Sequence, residues 1–519
     1  MAEPFYITTA ISYPNGKPHI GHAYEAIAAD VIARFKRAEG FDVRFQTGTD
    51  EHGLKMAQKA RELGITPAAL SQEMSQYFID MCDALNVGYD VFLRTTEPRH
   101  HAASQELWRR MEANGDLYLD RYEGWYSVRD EAYYDEAELI AGEGEEKLSP
   151  QGTPVEWTVE ESWFFRLSAY QDKLLALYRD NPRFLQPDSR RNEIMRFVEG
   201  GLRDLSVSRT SFDWGVKVPG AEDHVMYVWV DALTNYLTGL GFPDDAEAFH
   251  KWWPADLHLI GKDIVRFHTV YWPAFLLSAG LPPPKQVFGH GFLLNRGQKE
   301  SKSLGNVTDP LALAERYGVD VLRYFLMREV AFGQDGSYSS EAIVTRGNAE
   351  LANSFGNLAQ RVLSMIFKNL GGELRPSSPN DVDKALESTV RANIAGMRKD
   401  FNQLAFSDGL DAWMRAVFAC NQYVDEQAPW TLRKTDPARM AEVLLTLFRC
   451  VRDLAIAVRP IVPASADRLL DQMGIGAGQR DFAALENGAW FDDLVASGFH
   501  VVQPVGVFPR LEMPTEDPA

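Results

Sequence analysis

Two histidines, His19 and His22, stand three residues apart in the segment Pro18-His19-Ile20-Gly21-His22. On the first turn of a helix, side chains at this spacing lie on one side, so both imidazoles can donate hydrogen bonds to one anion. That turn also presents free N–H groups and the positive end of the helix dipole. The pattern suits the phosphates of a nucleotide. Taken alone, it is equally consistent with two histidines that cap or pack the helix.

Two lysines, Lys299 and Lys302, have the same spacing in a segment bounded by Gly297 and Gly305. Lysines in a mobile loop can bring positive charge to a phosphate whose charge builds up in a transition state. The alternative interpretation is a pair of solvated surface lysines.

Acidic residues follow strand-like runs at two other places. Asp50 lies in the segment from Gly48 to Gly53, where a carboxylate could pair with a substrate ammonium or cap a helix that starts near Gly53. Asp263 follows the run that ends at Leu259-Ile260. An acidic residue there could bind a ribose hydroxyl, as in dinucleotide-binding folds.

The elements around the histidines form a βαβ pattern. Strand formers run from Phe5 to Ile11, a helix-like run extends from Ala23 to Ala38, and apolar residues alternate again from Phe41 to Phe45. The turn that carries His19 and His22 should therefore lie at the carboxyl ends of parallel strands, where nucleotides bind.

Hydrophobic periodicity predicts the remaining elements. Two more strands are expected at Val225 to Trp229 and Val287 to Leu294, and the tail from Val507 to Leu511 is strand-like. Helices are expected at residues 54–63, 67–85, 94–114, 309–328, 340–370, 383–400, 411–427, 437–458 and 464–473. The last five helices predict a bundle.

Polar side chains recur on the first helix of that bundle. Asn353, Asn357 and Arg361 stand four apart and share one face, which could recognise base edges but is more commonly just a solvated face. Pro429-Trp430 places an aromatic ring at a helix end, where an unstacked base could stack on it.

Together, the histidine and lysine segments resemble the HIGH and KMSKS signatures of the class I aminoacyl-tRNA synthetases, and the residues around them resemble the methionine-specific members. One residue departs from the family pattern: Glu300 stands where the family usually has methionine, and its carboxylate weakens the positive potential of the loop. The resemblance covers essentially the whole chain. Its further motifs are Pro14-Asn15-Gly16, Gly48-Thr49-Asp50-Glu51-His52-Gly53, Asp213-Trp214-Gly215, Tyr227-Val228-Trp229-Val230-Asp231-Ala232 and Gly261-Lys262-Asp263-Ile264-Val265-Arg266-Phe267-His268.

The resemblance implies a pocket for methionine. In the family, the aspartate that matches Asp50 contacts the amino group, and an aromatic slot receives the polarisable thioether. Without the resemblance, the aromatic residues would be assigned to an ordinary core. The implied pocket residues are Ile11, Tyr13, Asp50, Val228, Trp229, Ala232, Leu233, Tyr236, Phe267 and His268.

The resemblance also implies a reaction. The methionine carboxylate would attack the α-phosphorus of ATP, which is bound with Mg²⁺, to form methionyl-adenylate and pyrophosphate. The terminal adenosine hydroxyl of initiator or elongator tRNA(Met) would then take the methionyl group. His19, His22, Lys299 and Lys302 would be the catalytic residues, because positioning and charge stabilisation suffice for such a transfer. The implied ATP-binding residues are Gly21, Glu25, Asp263, Lys299, Lys302 and Ser303, and the implied anticodon-binding residues are Asn353, Asn357, Arg361 and Trp430.

The implied fold class is α/β: a Rossmann-type parallel-sheet catalytic domain with an inserted connective domain, followed by an α-helical bundle that binds the anticodon. The family often carries zinc knuckles in the insertion, but residues 116–215 contain no cysteine and no histidine, so no structural zinc is expected. The expected bounds are 1–115 and 216–295 for the two halves of the catalytic domain, 116–215 for the insertion, 296–338 for the KMSKS-like loop and stem-contact region, and 339–519 for the helical domain with its tail.

Composition limits the class of protein. At 519 residues the chain exceeds one ordinary core, so two to four domains are expected. A net charge of -20 argues against non-specific nucleic-acid binding, so a tRNA would have to be bound by local basic or aromatic surfaces. The three cysteines form no CxxC pair, the N-terminus shows no apolar signal segment, and no apolar run is long enough to span a membrane. These features predict a cytoplasmic protein. No appended dimerisation module is evident, which favours a monomer.

Three alternatives remain open. A synthetase for leucine, isoleucine or valine would usually carry a larger editing insertion, and the cysteine enzymes use a zinc for which this chain lacks ligands. A small-molecule nucleotidyltransferase with a similar histidine turn would have no use for the helical domain. A synthetase-like tRNA-binding or scaffold protein is the non-enzymatic alternative.

Overall fold

A computed structural model describes residues 2–130, 132–142, 144, 146–299 and 308–513, apart from the side chains of residues 122, 132, 133, 160, 298 and 299. Three residues with predicted significance, Glu300, Lys302 and Ser303, lie outside these ranges. Of Lys299, only the backbone lies within them. The roles assigned to these four residues stay predictions.

The first part of the chain alternates strands and helices. It contains β1 (Pro4–Thr9), α1 (Ile20–Ala38), β2 (Asp42–Thr49), α2 (Leu54–Leu63), α3 (Pro67–Ala84), β3 (Val91–Arg94) and α4 (Pro98–Ala113). The second part begins as an antiparallel sheet and contains β4 (Leu117–Ser127), β5 (Ala132–Tyr134), β6 (Ile140–Ala141), β7 (Lys147–Leu148), β8 (Glu156–Phe165), α5 (Gln171–Asp180), β9 (Leu185–Gln186), α6 (Asp188–Glu199), β10 (Leu205–Ser206), β11 (Ser208–Arg209) and β12 (Lys217–Val218).

The third part returns to the first sheet and then leads into helices. It contains β13 (Ala221–Met226), α7 (Val228–Thr238), α8 (Ala246–Trp252), β14 (Leu257–Gly261), α9 (Trp272–Ser278), β15 (Val287–His290), β16 (Leu293–Asn295), β17 (Gln298–Lys299), α10 (Pro310–Tyr317), α11 (Val319–Glu329) and β18 (Gly336–Tyr338). A π-helical turn, Phe267–Tyr271, precedes α9.

A six-stranded parallel sheet positions the site. Its strand order is β3-β2-β1-β14-β15-β9, with Ile7 of β1 between Phe45 of β2 and Leu257 of β14. The strand order reverses between β1 and β14, because β2 lies on one side of β1 and β14 on the other. In open α/β sheets, ligands bind outside the carboxyl ends of the strands at such a point. The sheet therefore confirms the Rossmann-type prediction.

Strand β9 joins this sheet although it falls within residues 116–215, the predicted insertion. The antiparallel sheet β10-β8-β4-β5 makes up the rest of that segment's strand structure together with shorter pairs. The domain bounds stay a prediction.

Two predicted strands were wrong in part. Val228 and Trp229 begin a helix, because packing of Ala232, Leu233 and Tyr236 on one face overrides the strand propensity of the preceding run. The strand predicted from Val287 to Leu294 divides into β15 and β16, which belong to different sheets. The backbone at Gly291 runs so close to Gln334 that a Cβ atom would lie 2.1 Å from its carbonyl oxygen. The chain turns there to pair with β18.

The helix predicted over residues 309–328 is likewise two helices. Gly318 separates α10 from α11 with a φ of 87°, a conformation that glycine adopts without strain.

The C-terminal part is a helical bundle, as predicted. Its first helix runs through α12 (Ser340–Arg346), a π-helical segment (Gly347–Gly356) and α13 (Asn357–Asn369). The other helices are α14 (Asp381–Asn402), α15 (Phe406–Gln427), α16 (Pro429–Thr435), α17 (Pro437–Val458), α18 (Pro463–Gln472), α19 (Phe482–Glu486) and α20 (Ala489–Ala496).

The tail forms no strand over its described residues. Instead, Leu511 and the side chain of Asn348 exchange two hydrogen bonds of 2.8 Å, and the Phe508 ring packs against Phe355. The strand-like pattern at residues 507–511 instead reflects apolar side chains that pack on the first bundle helix.

None of the helices within the described residues is long and apolar enough to cross a membrane.

Candidate active site

The histidine pair caps α1 and lines a cavity at the same time. Nδ1 of His19 accepts the Gly21 N–H at 3.0 Å, and Nδ1 of His22 accepts the His19 N–H at 3.1 Å. Because each Nδ1 is an acceptor, each neutral ring carries its proton on Nε2. The ring centroids lie 3.9 Å apart. Capping and anion binding, which the sequence left as alternatives, are therefore compatible.

Gly21 is required by this arrangement. A Cβ atom at residue 21 would lie 2.9 Å from Cε1 of His19, a distance that real Cβ atoms essentially never show. Any larger residue would displace the ring, so glycine keeps His19 in its capping position.

A cavity of about 470 Å³ opens beside the pair, at the switch point of the sheet. It brings together residues that are far apart in sequence, including every predicted methionine-pocket residue except Phe267. These lining residues are Ile11, Tyr13, Asp50, Val228, Trp229, Ala232, Leu233, Tyr236 and His268, together with His19, Gly21, His22, Glu25 and Asp263 from the predicted catalytic and ATP-binding sets.

Phe267 supports this cavity from behind. Its ring stacks on Trp229 with centroids 3.8 Å apart and planes inclined by only 6°. The predicted residue therefore sets the orientation of an aromatic wall without itself lining the cavity.

His268 is neutral in this wall. Its Nδ1 donates to the carbonyl oxygen of Ile264 at 3.0 Å, and its Nε2 accepts from the Tyr236 hydroxyl at 2.7 Å. Burial lowers the pKa of His268 to about 4. The slot is thus aromatic and uncharged, which suits a thioether.

Asp50 stands at the opposite wall. It is buried, and its N–H donates to the carbonyl oxygen of Ser12 at 2.9 Å. The residue that caps α2 is Gly53, so the alternative role of Asp50 as a helix cap is wrong. A buried carboxylate on the cavity wall can pair with an ammonium group.

A buried hydrogen-bond cluster ties the two walls together. Asp231 on α7 accepts from Nδ1 of His52 at 2.6 Å and from Nε2 of His100 at 2.7 Å. Burial opposes ionisation of this carboxyl group, but the two histidines outweigh it and lower the pKa of Asp231. His52 follows Asp50 by two residues, so Asp231 links the Asp50 loop to the helix that carries Trp229.

One end of the cavity contains a histidine that the sequence did not single out. Nε2 of His290 bonds Oε2 of Glu25 at 2.9 Å, and its Nδ1 donates to the carbonyl oxygen of Gly291 at 2.8 Å. Burial alone would lower the pKa of His290, but the contact with Glu25 raises it. Its place at the end of parallel strand β15 was the signal that could have identified it.

Asp263 lines the same end of the cavity. A Cβ atom at residue 261 would lie 2.7 Å from Oδ1 of Asp263, so the glycine before it leaves room for the carboxylate. The start of the lysine loop is held by β16, to which Gln298 and Lys299 pair through their backbones.

The predicted anticodon residues share a region of the bundle surface. Asn353 and Asn357 are exposed, and Trp430 is 47% exposed. The Arg361 guanidinium lies 5.6 Å from the centroid of the Trp430 ring and contacts Asp425 at 3.3 Å. The cation–π contact brings the two separately predicted features into one patch.

Among the residues whose placement is described, no group of three or more histidine, cysteine, aspartate or glutamate side chains could hold a metal ion. The three cysteines, Cys82, Cys420 and Cys450, are buried thiols.

The chain is similar to known proteins along nearly its whole length. Residues 5–363 match the family model of class I tRNA synthetases (M), and residues 375–513 match that of the anticodon-binding domain of methionyl-tRNA ligase. The chain is 57% identical to the methionine–tRNA ligase of Brucella suis over 98% of both chains, and 56% identical to that of Mycobacterium tuberculosis over 99% of both.

Solved structures show the same similarity. The structure of M. tuberculosis methionyl-tRNA synthetase in complex with methionyl-adenylate has a TM-score of 0.93 at 55% identity, covering 98% of this chain and all of that one. The free-state structure of the same enzyme has a TM-score of 0.87 at 52% identity, covering 99% of each chain. This chain therefore belongs to the methionyl-tRNA synthetase family of class I aminoacyl-tRNA synthetases.

Proposed function

We propose that this chain is a methionine–tRNA ligase. It activates methionine with ATP to methionyl-adenylate and pyrophosphate, and then transfers the methionyl group to the 3′ end of tRNA(Met). The observation that carries the proposal is the single cavity at the sheet's switch point, which joins a phosphate-binding helix end to an aromatic slot and a buried carboxylate.

Methionine is held by the two walls of the cavity. Asp50 pairs with its ammonium group, and the slot made by Trp229, Tyr236 and His268 receives the thioether. Because His268 is neutral and its Nε2 accepts from Tyr236, the slot presents no charge to the apolar side chain. The carboxylate of methionine is then left to face the nucleotide.

ATP lies along the start of α1. The Nε2–H groups of His19 and His22 donate to its phosphates, Asp263 bonds the ribose, and Glu25 with His290 borders the nucleoside. ATP is used as its Mg²⁺ complex, and the ion arrives with the phosphates. Lys299, Lys302 and Ser303 contact the pyrophosphate end.

The reaction needs no protein nucleophile. The methionine carboxylate attacks the α-phosphorus in line, and pyrophosphate leaves. The terminal adenosine hydroxyl of tRNA then attacks the acyl carbon, and AMP leaves. Donors that strengthen their contacts as charge develops on the phosphate lower the barrier.

Partner recognition is assigned to the bundle patch around Trp430. Initiator and elongator tRNA(Met) carry the same CAU anticodon, so both are substrates. We further propose that the protein acts as a monomer in the cytoplasm.

The test is ATP–pyrophosphate exchange with each standard amino acid in turn, followed by charging of tRNA(Met). Exchange that depends on methionine alone, with charging, supports the proposal. Exchange with leucine, isoleucine, valine or cysteine would identify another synthetase. Adenylyl transfer to a small molecule without an amino acid would identify a nucleotidyltransferase, and tRNA binding without exchange a scaffold protein.

A further inference from the structure

A second large cavity, the bundle cavity, lies within the helical domain. It has a volume of about 600 Å³, against about 470 Å³ for the active-site cavity, and the described residues that line the two cavities do not overlap. Its walls are α14, α17 and the short helices α19 and α20. Pockets that bind small molecules usually measure about 300–1,000 Å³. The reaction proposed above does not use this one.

Four arginines line the bundle cavity. Arg391 and Arg398 lie seven residues apart on α14, and Arg449 and Arg452 lie three apart on α17. Both spacings place side chains on one face of a helix, so the two helices present their guanidinium groups to the same space. Arginine suits oxyanions, because its guanidinium can donate two parallel hydrogen bonds to a carboxylate or a phosphate.

Three of these arginines are paired with carboxylates that also line the cavity. The pairs are Arg398 with Glu486 at 2.8 Å, Arg449 with Asp492 at 2.7 Å, and Arg452 with Asp453 at 2.7 Å. Arg391 is exposed, and no hydrogen bond or ion pair joins it to another described residue. Glu387, four residues before it on the helix, is a natural partner, but it contacts Arg449 at 3.5 Å instead. Arg391 therefore keeps its charge available to a ligand.

Arg452 also has an unused donor. The side chain is buried and its Nε donates to Asp453, but its Nη1 has no hydrogen-bond partner among the described residues. A buried charged donor is costly without an acceptor, so a ligand oxygen that reached it would be favoured. Burial raises the pKa of Asp453, and the charges of Arg452 and Arg391 oppose that rise. Both arginines therefore favour negative charge in the same part of the cavity.

Another wall of the cavity is apolar. Ile394 of α14 and Val495 of α20 are buried, and Leu485 of α19 packs against the same core. Small-molecule sites combine such walls with a few polar groups that fix the orientation of the ligand. An inorganic ion would leave this wall without a partner. A ligand that fits both sides has an apolar body as well as a charged head.

We propose that the bundle cavity binds a small organic anion, a carboxylate or a phosphate whose oxygens are bonded by Arg391 and Arg452 and whose body lies against the apolar wall. Asp453 is an internal competitor, because its carboxylate bonds the same Arg452 guanidinium. The site is separate from the active site, and the inference does not depend on the proposed function.

The first test is isothermal titration calorimetry of the full chain with phenyl phosphate, benzoate and benzyl alcohol. The two anions share an aromatic body, so the tighter of the two identifies the head group that the site prefers. Benzyl alcohol has the body without the charge and should bind about tenfold more weakly, because it cannot make a charge-assisted hydrogen bond. Failure of both anions to bind, or equally tight binding of the alcohol, would overturn the proposal.

The second test is Arg391→Gln, which should weaken binding of the preferred anion about tenfold, because one charged contact is lost. The matched control is Arg415→Gln. Arg415 is an exposed arginine of α15 that contacts Asn393 at 3.3 Å and does not line the cavity. An anion bound at the start of α1 would bind both variants alike. Equal affinities of the two variants would therefore overturn the assignment to the bundle cavity.

Asp453→Asn tests the competitor and predicts a change of opposite sign. Loss of the carboxylate charge frees Arg452 for the ligand, so the preferred anion should bind several-fold more tightly. A purely structural role of Asp453 would not tighten binding. Unchanged or weaker binding would place the anion away from Arg452 and contradict the proposed contact.

Competition with tRNA(Met) separates a small ligand from an RNA phosphate. The affinity for the preferred anion should not change when tRNA(Met) is added, because none of the predicted anticodon residues lines the cavity. Displacement by tRNA(Met), with an affinity for tRNA that is itself reduced in Arg391→Gln, would assign the cavity to the RNA backbone and overturn the proposal of a small ligand.

Discussion

His19 and His22 each use their two ring nitrogens for different purposes. Nδ1 accepts a backbone N–H and completes a reciprocal cap, the arrangement that serine and glutamate usually provide. The same bond places the proton of the neutral ring on Nε2 and so makes it a donor. A serine could cap the helix equally well, but it could not extend a second donor toward a phosphate.

His22→Ala should slow adenylate formation by about a hundredfold to a thousandfold, by analogy with the loss of one oxyanion donor. The methionine KM should change little, because the lost bond strengthens only as charge develops. Single-turnover adenylation measures the effect. Thr66→Ala, which removes the cap of α3, controls for loss of a helix cap alone. An adenylation rate equal to that of the unaltered protein would remove His22 from the mechanism.

Glu300→Met should raise the adenylation rate or lower the ATP KM, because it removes a carboxylate beside Lys299. The gain should be largest at low ionic strength, where the carboxylate is least screened. Single-turnover adenylation across a salt series measures it, with the methionine KM as internal control. A slower methionine variant would show that the carboxylate has a positive role.

Helix α7 shows how one element can organise two walls. Ala232, Leu233 and Tyr236 face the cavity, whereas Asp231 points away and bonds two histidines on other elements. Because the helix is rigid, the position of Asp231 also sets that of Trp229. The pocket geometry thus depends on a carboxylate outside the pocket.

Asp231→Asn should raise the methionine KM at least tenfold while changing the ATP KM much less. The amide oxygen of asparagine can accept a hydrogen bond from one histidine. The amide NH₂ group is a donor, so it cannot accept the hydrogen bond that the second histidine donates to Asp231. Steady-state exchange with each substrate varied separates the two KM values. Ser104→Ala, which loses only a 3.3 Å contact with His100, is the control. Equal rises in both KM values would indicate general loss of structure.

Helices α14 and α17 are joined by an ion pair between Asp383, which is buried, and Arg439, which is partly buried. Arg439 donates two hydrogen bonds of 2.6 Å to Asp383, which also accepts from Tyr423 and from the N–H of Asn380. Burial opposes ionisation, but these donors outweigh it and hold the pKa of Asp383 below its usual value.

Asp383→Asn should reduce the free energy of unfolding by roughly 2 kcal/mol at pH 7, because the partly buried Arg439 loses its charged hydrogen-bond partner. Because the pKa of Asp383 is lower in the folded protein than the unfolded value of about 3.9, the ionised carboxylate stabilises the folded protein above that pH. This contribution is lost as the pH falls through the folded-state pKa. The difference between the two proteins should therefore shrink below about pH 4. Urea unfolding between pH 3 and 7 measures it, with exposed Asp381→Asn as control.

The two halves of the molecule share one buried contact region. Arg323 of α11 is fully buried, bonds Asp30 of α1 at 2.6 Å and donates to the carbonyl oxygen of Ile461 at 2.9 Å. One apolar core also extends from α1 into the bundle helices. The bundle is therefore firmly seated on the helix that begins with His19 and His22.

Trp430→Ala should impair charging of tRNA(Met) and leave pyrophosphate exchange intact, because adenylation is built from the sheet and Trp430 belongs to the bundle. Loss of one stacked base costs about 1–3 kcal/mol, or roughly 5-fold to 150-fold in tRNA affinity. Phe367→Ala, a partly exposed aromatic on α13, is the matched control. A parallel fall in exchange and charging would make Trp430 a structural residue.

The site could be predicted from the sequence to a large extent. His19, His22, Asp50 and Asp263 follow strand-like runs, and that position alone places them at one sheet edge. Helices α2 and α17 begin and end where expected. For α17, the apolar spacing and the proline at its first position mark the bounds. Resemblance added the methionine slot, whose aromatic residues carry no local sign of function.

Local pattern specified strands, helices and the residue types at their ends, because propensity, apolar spacing and caps act within one or two turns. Contacts between distant segments decided the rest. Packing placed Val228 and Trp229 in a helix. His290 forms a hydrogen bond with Glu25, which lies 265 residues away in the sequence, and Asp130 accepts hydrogen bonds from hydroxyl groups of a separate turn. Such bonds gain their strength from burial, and burial exists only after the chain has folded.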